Sequence, residues 1–102
     1  MNRLLQMGDV AEGYVCGDDV LSIGALSAHQ NAGLRVPEDV GLIGLNDMEM
    51  ARWRNINLTT IRQPIEDVVR ISIEMVCAVL RDGSSQAKAH LLPCELIERG
   101  SL

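Results

Sequence analysis

Hydrophobic and polar residues follow two different rhythms along this chain, and each change of rhythm marks an element. Residues 11–16 form a short apolar run weakened by Glu12 and Gly13, which predicts a strand. Gly17-Asp18-Asp19 reads as a turn, with Asp19 as helix N-cap because its carboxylate can accept from the unpaired first-turn amides. Residues 20–31 then take helical spacing, with apolar side chains at 20, 21, 23, 25, 26 and 28. Gly24 interrupts that helix at a cost of about 1 kcal/mol against Ala, which points to another backbone passing close by. Gly33 suits the left-handed conformation that closes a helix, and Pro37 biases Val36 towards extended structure. Residues 40–45, Val-Gly-Leu-Ile-Gly-Leu, are apolar without alternation, the pattern of a strand covered on both faces in a parallel sheet.

The second half repeats the order more loosely. Residues 46–57 predict irregular chain or one helical turn, and carry Trp53. Residues 58–61, Leu-Thr-Thr-Ile, are a brief β-rich run. Pro64 stands where a helix welcomes proline, opening a helix to about Arg81. Glu66 and Asp67 suit its positive end and Arg81 its negative end, and Glu66 and Arg70 are spaced for an i, i+4 pair. Apolar residues at 65, 68, 69, 73, 76, 79 and 80 make one wide stripe. Residues 82–88 predict a polar loop, and 91–97 a last strand that Pro93 confines to an edge or a bulge. The order is β-α-β-(turn)-β-α-β, its first three elements a right-handed βαβ unit. This is an α/β chain with a partial doubly wound, Rossmann-like parallel sheet. Such sheets usually need about five strands, so part of the sheet is expected on the amino-terminal side of this sequence.

That architecture directs attention to the strand ends, because open α/β sheets bind ligands beyond the carboxyl ends of their strands. Asn46 and Asp47 follow the 40–45 strand, and Asp18 precedes the next helix at the end of the first. Asp18 fits either a ligand contact or a solvated turn residue.

Composition narrows the function. There is no Phe, one Tyr and one Trp, so the core is aliphatic. A net charge of −5 argues against non-specific binding to nucleic acid or an acidic membrane. No apolar run approaches a membrane span of roughly 18 residues, and the first residues lack a signal-peptide core, which gives a cytoplasmic expectation. Cys16, Cys77 and Cys94 are odd in number, widely spaced and set among apolar neighbours, so they read as structural free thiols. His29 and His90 have no Asp, Glu or Cys at ligand spacing, so no metal is expected. No nucleophile elbow, Walker loop or dinucleotide fingerprint occurs. Neither enzyme activity nor a cofactor is expected.

Five stretches resemble one known family in order and spacing. Residues 16–26, Cys-Gly-Asp-Asp-Val-Leu-Ser-Ile-Gly-Ala-Leu, are similar to the "c-x-N-D-x-x-A-x-G-x-x" signature of the LacI/GalR family of bacterial transcription regulators. Residues 32–40 resemble its "a-G-l-r-V-P-e-D-v", 41–47 its "s-v-v-G-f-D-D", 58–64 its "L-T-T-i-r-q-P", and 96–101 its "L-i-x-R-x-S".

The resemblance implies the carboxyl-terminal part of a periplasmic-binding-protein-like (type I) effector-binding domain over residues 1–102. It implies that the helix-turn-helix, hinge and first lobe lie outside this sequence. It also implies that the 58–60 region crosses between lobes, that the helix after Pro64 belongs to the other lobe, and that the last strand returns. By position, Asp18 stands for the family's Asn before the turn acid, Asn46 for its first acid after an aromatic, and Asp47 for its second acid. These three are the implied effector contacts, for a sugar or nucleoside. Ile23, Met50, Ala51 and Trp53 are the implied homodimer contacts, and operator DNA would be met only through the missing amino-terminal domain. A periplasmic sugar-binding protein of the same fold is the alternative, disfavoured by the missing signal peptide. A receiver-like phosphoacceptor domain would need a Lys at the end of a late buried strand, whereas Lys88 lies in the polar loop.

Overall fold

The computed structural model describes residues 1–8, 10–83 and 88–102. The order is α1 (Asn2–Gln6), β1 (Gly13–Val15), α2 (Asp19–Asn31), β2 (Gly41–Leu45), a 3₁₀ turn (Glu49–Arg52), β3 (Thr59–Arg62), α3 (Ile65–Asp82) and β4 (Glu95–Ile97). The short α1 has no counterpart in the sequence reading. The four strands form one sheet in the order β1-β2-β3-β4. β1, β2 and β3 run parallel, while β4 pairs antiparallel with β3, from Thr60↔Ile97 to Arg62↔Glu95. The sheet is therefore parallel except at its β4 edge. Of the expected 82–88 loop, residues 84–87 lie outside the described residues.

The chain divides into two units, Met1–Arg62 with Glu95–Leu102, and Gln63–Cys94. Unit 1 holds the core, where Ala25 and Leu26 of α2 meet Leu42 of β2, Ala51 and Leu58. Met1, Tyr14, Cys16, Val36 and Ile56 pack around that cluster. β2 alternates between half-buried and buried residues, Leu42 and Gly44 being the buried ones. Covering on both faces was expected, but helix α2 covers one. Gly44 is glycine for a reason of space: a Cβ there would overlap Asp19 Oδ1 and stand 2.9 Å from Leu58 Cδ2. The terminal residues close the sheet. Ser101 Oγ donates to Leu42 O at 2.7 Å and accepts from Thr59 N at 2.8 Å, and Leu42 N donates to Ser101 O at 2.6 Å.

Unit 2 is α3 and the chain that follows it. Glu66 and Asp67 lie in the helix's first turn, Arg81 in its last, and Gly83 ends it in the left-handed conformation at φ 61°. Arg70 pairs with Asp67 at 2.9 Å and Glu74 at 3.3 Å, in place of the expected Glu66. No residue of α3 is buried. The seven apolar stripe positions are all exposed, from Val68 at 39% to Leu80 at 79%. Cys77 and Cys94 are exposed too, so only half-buried Cys16 behaves as the packed thiol expected of all three.

Candidate functional site

The carboxyl ends of β1 and β2 bring two polar turns together. Asp18, in extended conformation, caps α2, and its Oδ1 accepts from Val20 N at 2.7 Å. The cap is therefore Asp18 and not Asp19. Asp18 Oδ2 accepts from Asn46 Nδ2 at 2.9 Å, joining residues from two strand ends in one exposed pair. Asn46 and Asp47 both lie in the left-handed region, at φ 105° and 51°, where residues other than glycine are uncommon and must be held by their surroundings.

Three sets of bonds hold them. Asn46 N donates to Ile61 O at 2.8 Å, Asp47 N to Thr60 Oγ1 at 3.3 Å, and Met48 N to Asp19 Oδ2 at 2.7 Å. Asp19 is wholly buried, and its other oxygen accepts from Thr60 Oγ1 at 2.5 Å. It reaches that bond through the space left by Gly44. Below the turn lies a carboxylate with three arginines. Asp47, its side chain 1% exposed, accepts from Arg99 Nη2 at 2.5 Å, from Arg62 Nη2 and Nε at 2.6 and 2.8 Å, and from Arg52 Nη2 at 3.1 Å. Burial alone would push the Asp47 carboxyl up, but the hydrogen bonds from Arg99, Arg62 and Arg52 hold it at about 2, below the ordinary 3.8. The Asp47 contact raises Arg62 in turn. Arg99 is also fixed from behind, with Nη1 donating to Leu58 O at 2.7 Å and its backbone N to Thr59 Oγ1 at 2.9 Å.

The expected contacts thus separate. Asp18 and Asn46 meet at the exposed strand ends. Asp47 was expected beside them as an effector contact, but its carboxylate is buried and turned to the arginines, so it anchors the turn from below. Among the expected dimer residues, Ala51 is 0% exposed and packs in the core of unit 1, leaving no side-chain surface for a partner. Trp53 is 51% exposed, and Ile23 and Met50 are half-buried. His29 is wholly buried, with Nδ1 2.7 Å from Ala25 O and its ring against Tyr14. No metal-ligating cluster occurs among the described residues.

The chain as a whole has counterparts among known proteins. Residues 2–102 match the periplasmic binding protein-like domain family. The chain belongs to that family, in the form carried by LacI-type regulators. It is 33% identical over 101 residues to the HTH-type transcriptional repressor CytR of Escherichia coli K12, covering 99% of this chain and 30% of that protein. It is 30% identical over 102 residues to the HTH-type transcriptional repressor PurR of Aliivibrio salmonicida, covering 100% of this chain and 31% of that protein. Among solved structures, a LacI-family regulatory protein from Corynebacterium glutamicum superposes with TM-score 0.77 at 34% identity, over 98% of this chain and 39% of that one. The Lac repressor bound to ONPG gives TM-score 0.85 at 26% identity, over 98% and 30%. A LacI-family regulator from Enterococcus faecium with bound ribose gives 0.76 at 26%, over 98% and 37%. The chain spans just under a third of the length of the curated relatives it matches.

In this LacI-type chain the sequence reading assigned Asp19 the role of cap in place of its bonds to Thr60 and Met48, and left Thr60 and the arginines at 52, 62 and 99 without a role. Arg62 and Arg99 stood inside family motifs without a role. Their spacing from Asp47, by 15 and 52 positions, leaves no local signal of a shared partner.

Proposed function

We propose that this chain is the effector-sensing and dimerising part of a LacI-type transcriptional regulator, and that Asp18 and Asn46 contact a small hydroxylated effector of the sugar or nucleoside class. The observation that carries the reading is the Asp18–Asn46 pair, two side chains from adjacent strand ends joined in an exposed position. A carboxylate and a carboxamide there suit a ligand rich in hydroxyl or amino groups. The bound ribose of the Enterococcus faecium regulator and the ONPG of the Lac repressor support the class. The regulator works in the cytoplasm, and its operator contacts lie on a segment other than this acidic chain. No helix among the described residues is long and apolar enough to cross a membrane. Ile23, Met50 and Trp53 contribute to the homodimer contact.

The test is an NMR titration with millimolar ribose and, separately, cytidine. Shifts at the amides of Asp18 and Asn46 that vanish in both Asp18→Ala and Asn46→Ala are expected. Absence of shifts with either compound, or shifts unchanged in both variants, would remove this reading of the crevice.

A further inference from the structure

Arg62 holds a second position besides its place under the turn. It is the last residue of β3 and the last of unit 1 before the chain departs; Glu95 is the first residue of β4 and the first on return. The two are register partners across the antiparallel pair. One guanidinium serves both neighbours, with Nε and Nη2 on Asp47 at 2.8 and 2.6 Å and Nη1 on Glu95 Oε2 at 3.3 Å. Arg52 and Arg99 hold the same carboxylate, and no bond from either to Glu95 accompanies that grip. Arg52 belongs to the adjacent 3₁₀ turn, five residues from Asp47.

We propose that Arg62 is a positioning residue that straps the Asn46–Asp47 turn to the two points where the chain leaves and re-enters unit 1. The turn needs such a restraint, because two consecutive non-glycine residues at positive φ relax to ordinary conformations unless their surroundings forbid it. The planar guanidinium suits this role because it grips Asp47 through two adjacent nitrogens and keeps a third for Glu95, which an ammonium cannot do in fixed geometry. A shift of Asn46 on ligand contact pulls on Asp47, and Asp47 is bonded to the residue at the departing crossing. The passing of a ligand contact through the strap rests on the reading of Asp18 and Asn46 as the effector crevice; the strap itself does not.

Amide hydrogen exchange on this chain at neutral pH tests it without ligand. Arg62→Gln is expected to speed exchange about tenfold at the amides of Asn46, Asp47 and Met48, as loss of a charge-assisted bond implies, and also at Glu95–Ile97. Arg52→Gln, which takes an arginine from the same carboxylate, should speed only residues 46–48. Arg62→Lys should fall between wild type and Arg62→Gln, and it supplies the answer if Arg62→Gln does not fold. Wild-type exchange at 46–48 in the Arg62 variants would overturn the strap. So would equal acceleration of 95–97 by Arg52→Gln, since loosening would then be general. A failed ligand titration with these exchange results intact would count against the crevice and leave the strap standing.

Discussion

Unit 1 and unit 2 have nearly opposite relations to their apolar residues. In unit 1, Leu42 and Leu58 are 0% exposed, while in unit 2 Ile73 and Val76 are each 58% exposed on a helix with no buried residue. Yet α3 carries the stronger helical stripe, whereas the packed helix α2 owes its burial to Ala25, Leu26 and Ala28 beside polar Asp19, Ser22 and His29. Periodicity shows that a face is made for burial; it does not say what buries it. The α3 stripe is apolar and exposed along the helix, the pattern of a face suited to burial against another surface.

The comparison is most exposed to failure in truncation. Leu42→Ala or Leu58→Ala should each cost about 2–5 kcal/mol in urea unfolding. Equal tolerance of these changes and of an α3 truncation would abolish the distinction between the units.

Next in size is the buried carboxylate. Asp47→Ala should cost about 3 kcal/mol, because it leaves Arg99, the least exposed of the three arginines, facing a vacated site. The acid side follows from the same group. Its carboxyl is lowered when folded, so its stabilisation is fully present above the unfolded value near 3.8 and drains away as pH falls towards about 2. Thermal unfolding followed between pH 5 and pH 2 should show this loss in wild type and a shallower slope in Asp47→Asn. The Arg35–Asp39 pair lies in the same range, also near 2 through the Arg35 hydrogen bonds, but its arginine is 69% exposed and it should add little.

Association comes third. Light scattering should give a mass above the 11.1 kDa of one chain at micromolar concentration, and Ile73→Asp with Val76→Asp should lower it. A single-chain mass in wild type would mean that the stripe stays wet in isolation. The smallest effect is Val76→Ala studied at dilution, expected within about 0.5 kcal/mol of wild type.

How far this could be read from the sequence follows the range of the interactions. Turns and helix limits were local: Gly33, Pro37 and Pro64 signalled them within a few residues, and α2 and α3 lie where spacing put them, to within a residue at either end. The cap moved from Asp19 to Asp18 because Asp19 is drawn beneath β2 towards Thr60, a contact 41 positions away with no local trace. Gly44 held half of that signal, as a glycine in a strand marks a close approach, here by the Asp19 carboxylate; at Gly24, where a passing backbone was expected, nothing approaches within 4 Å. Asp47 was misplaced for a similar reason: an acid at a strand end looks alike whether it faces solvent or three arginines. Nothing in its neighbourhood separates the two.

The seal that Ser101 makes between Leu42 and Thr59 also has a consequence in time. Its bond to Leu42 spans 59 positions of sequence, so β2 and β3 cannot complete their closure until Ser101 has been made. During synthesis, unit 2 must be made in between, and its apolar stripe emerges while unit 1 is still open. A chain with so distant a closure folds late and is aggregation-exposed until it does.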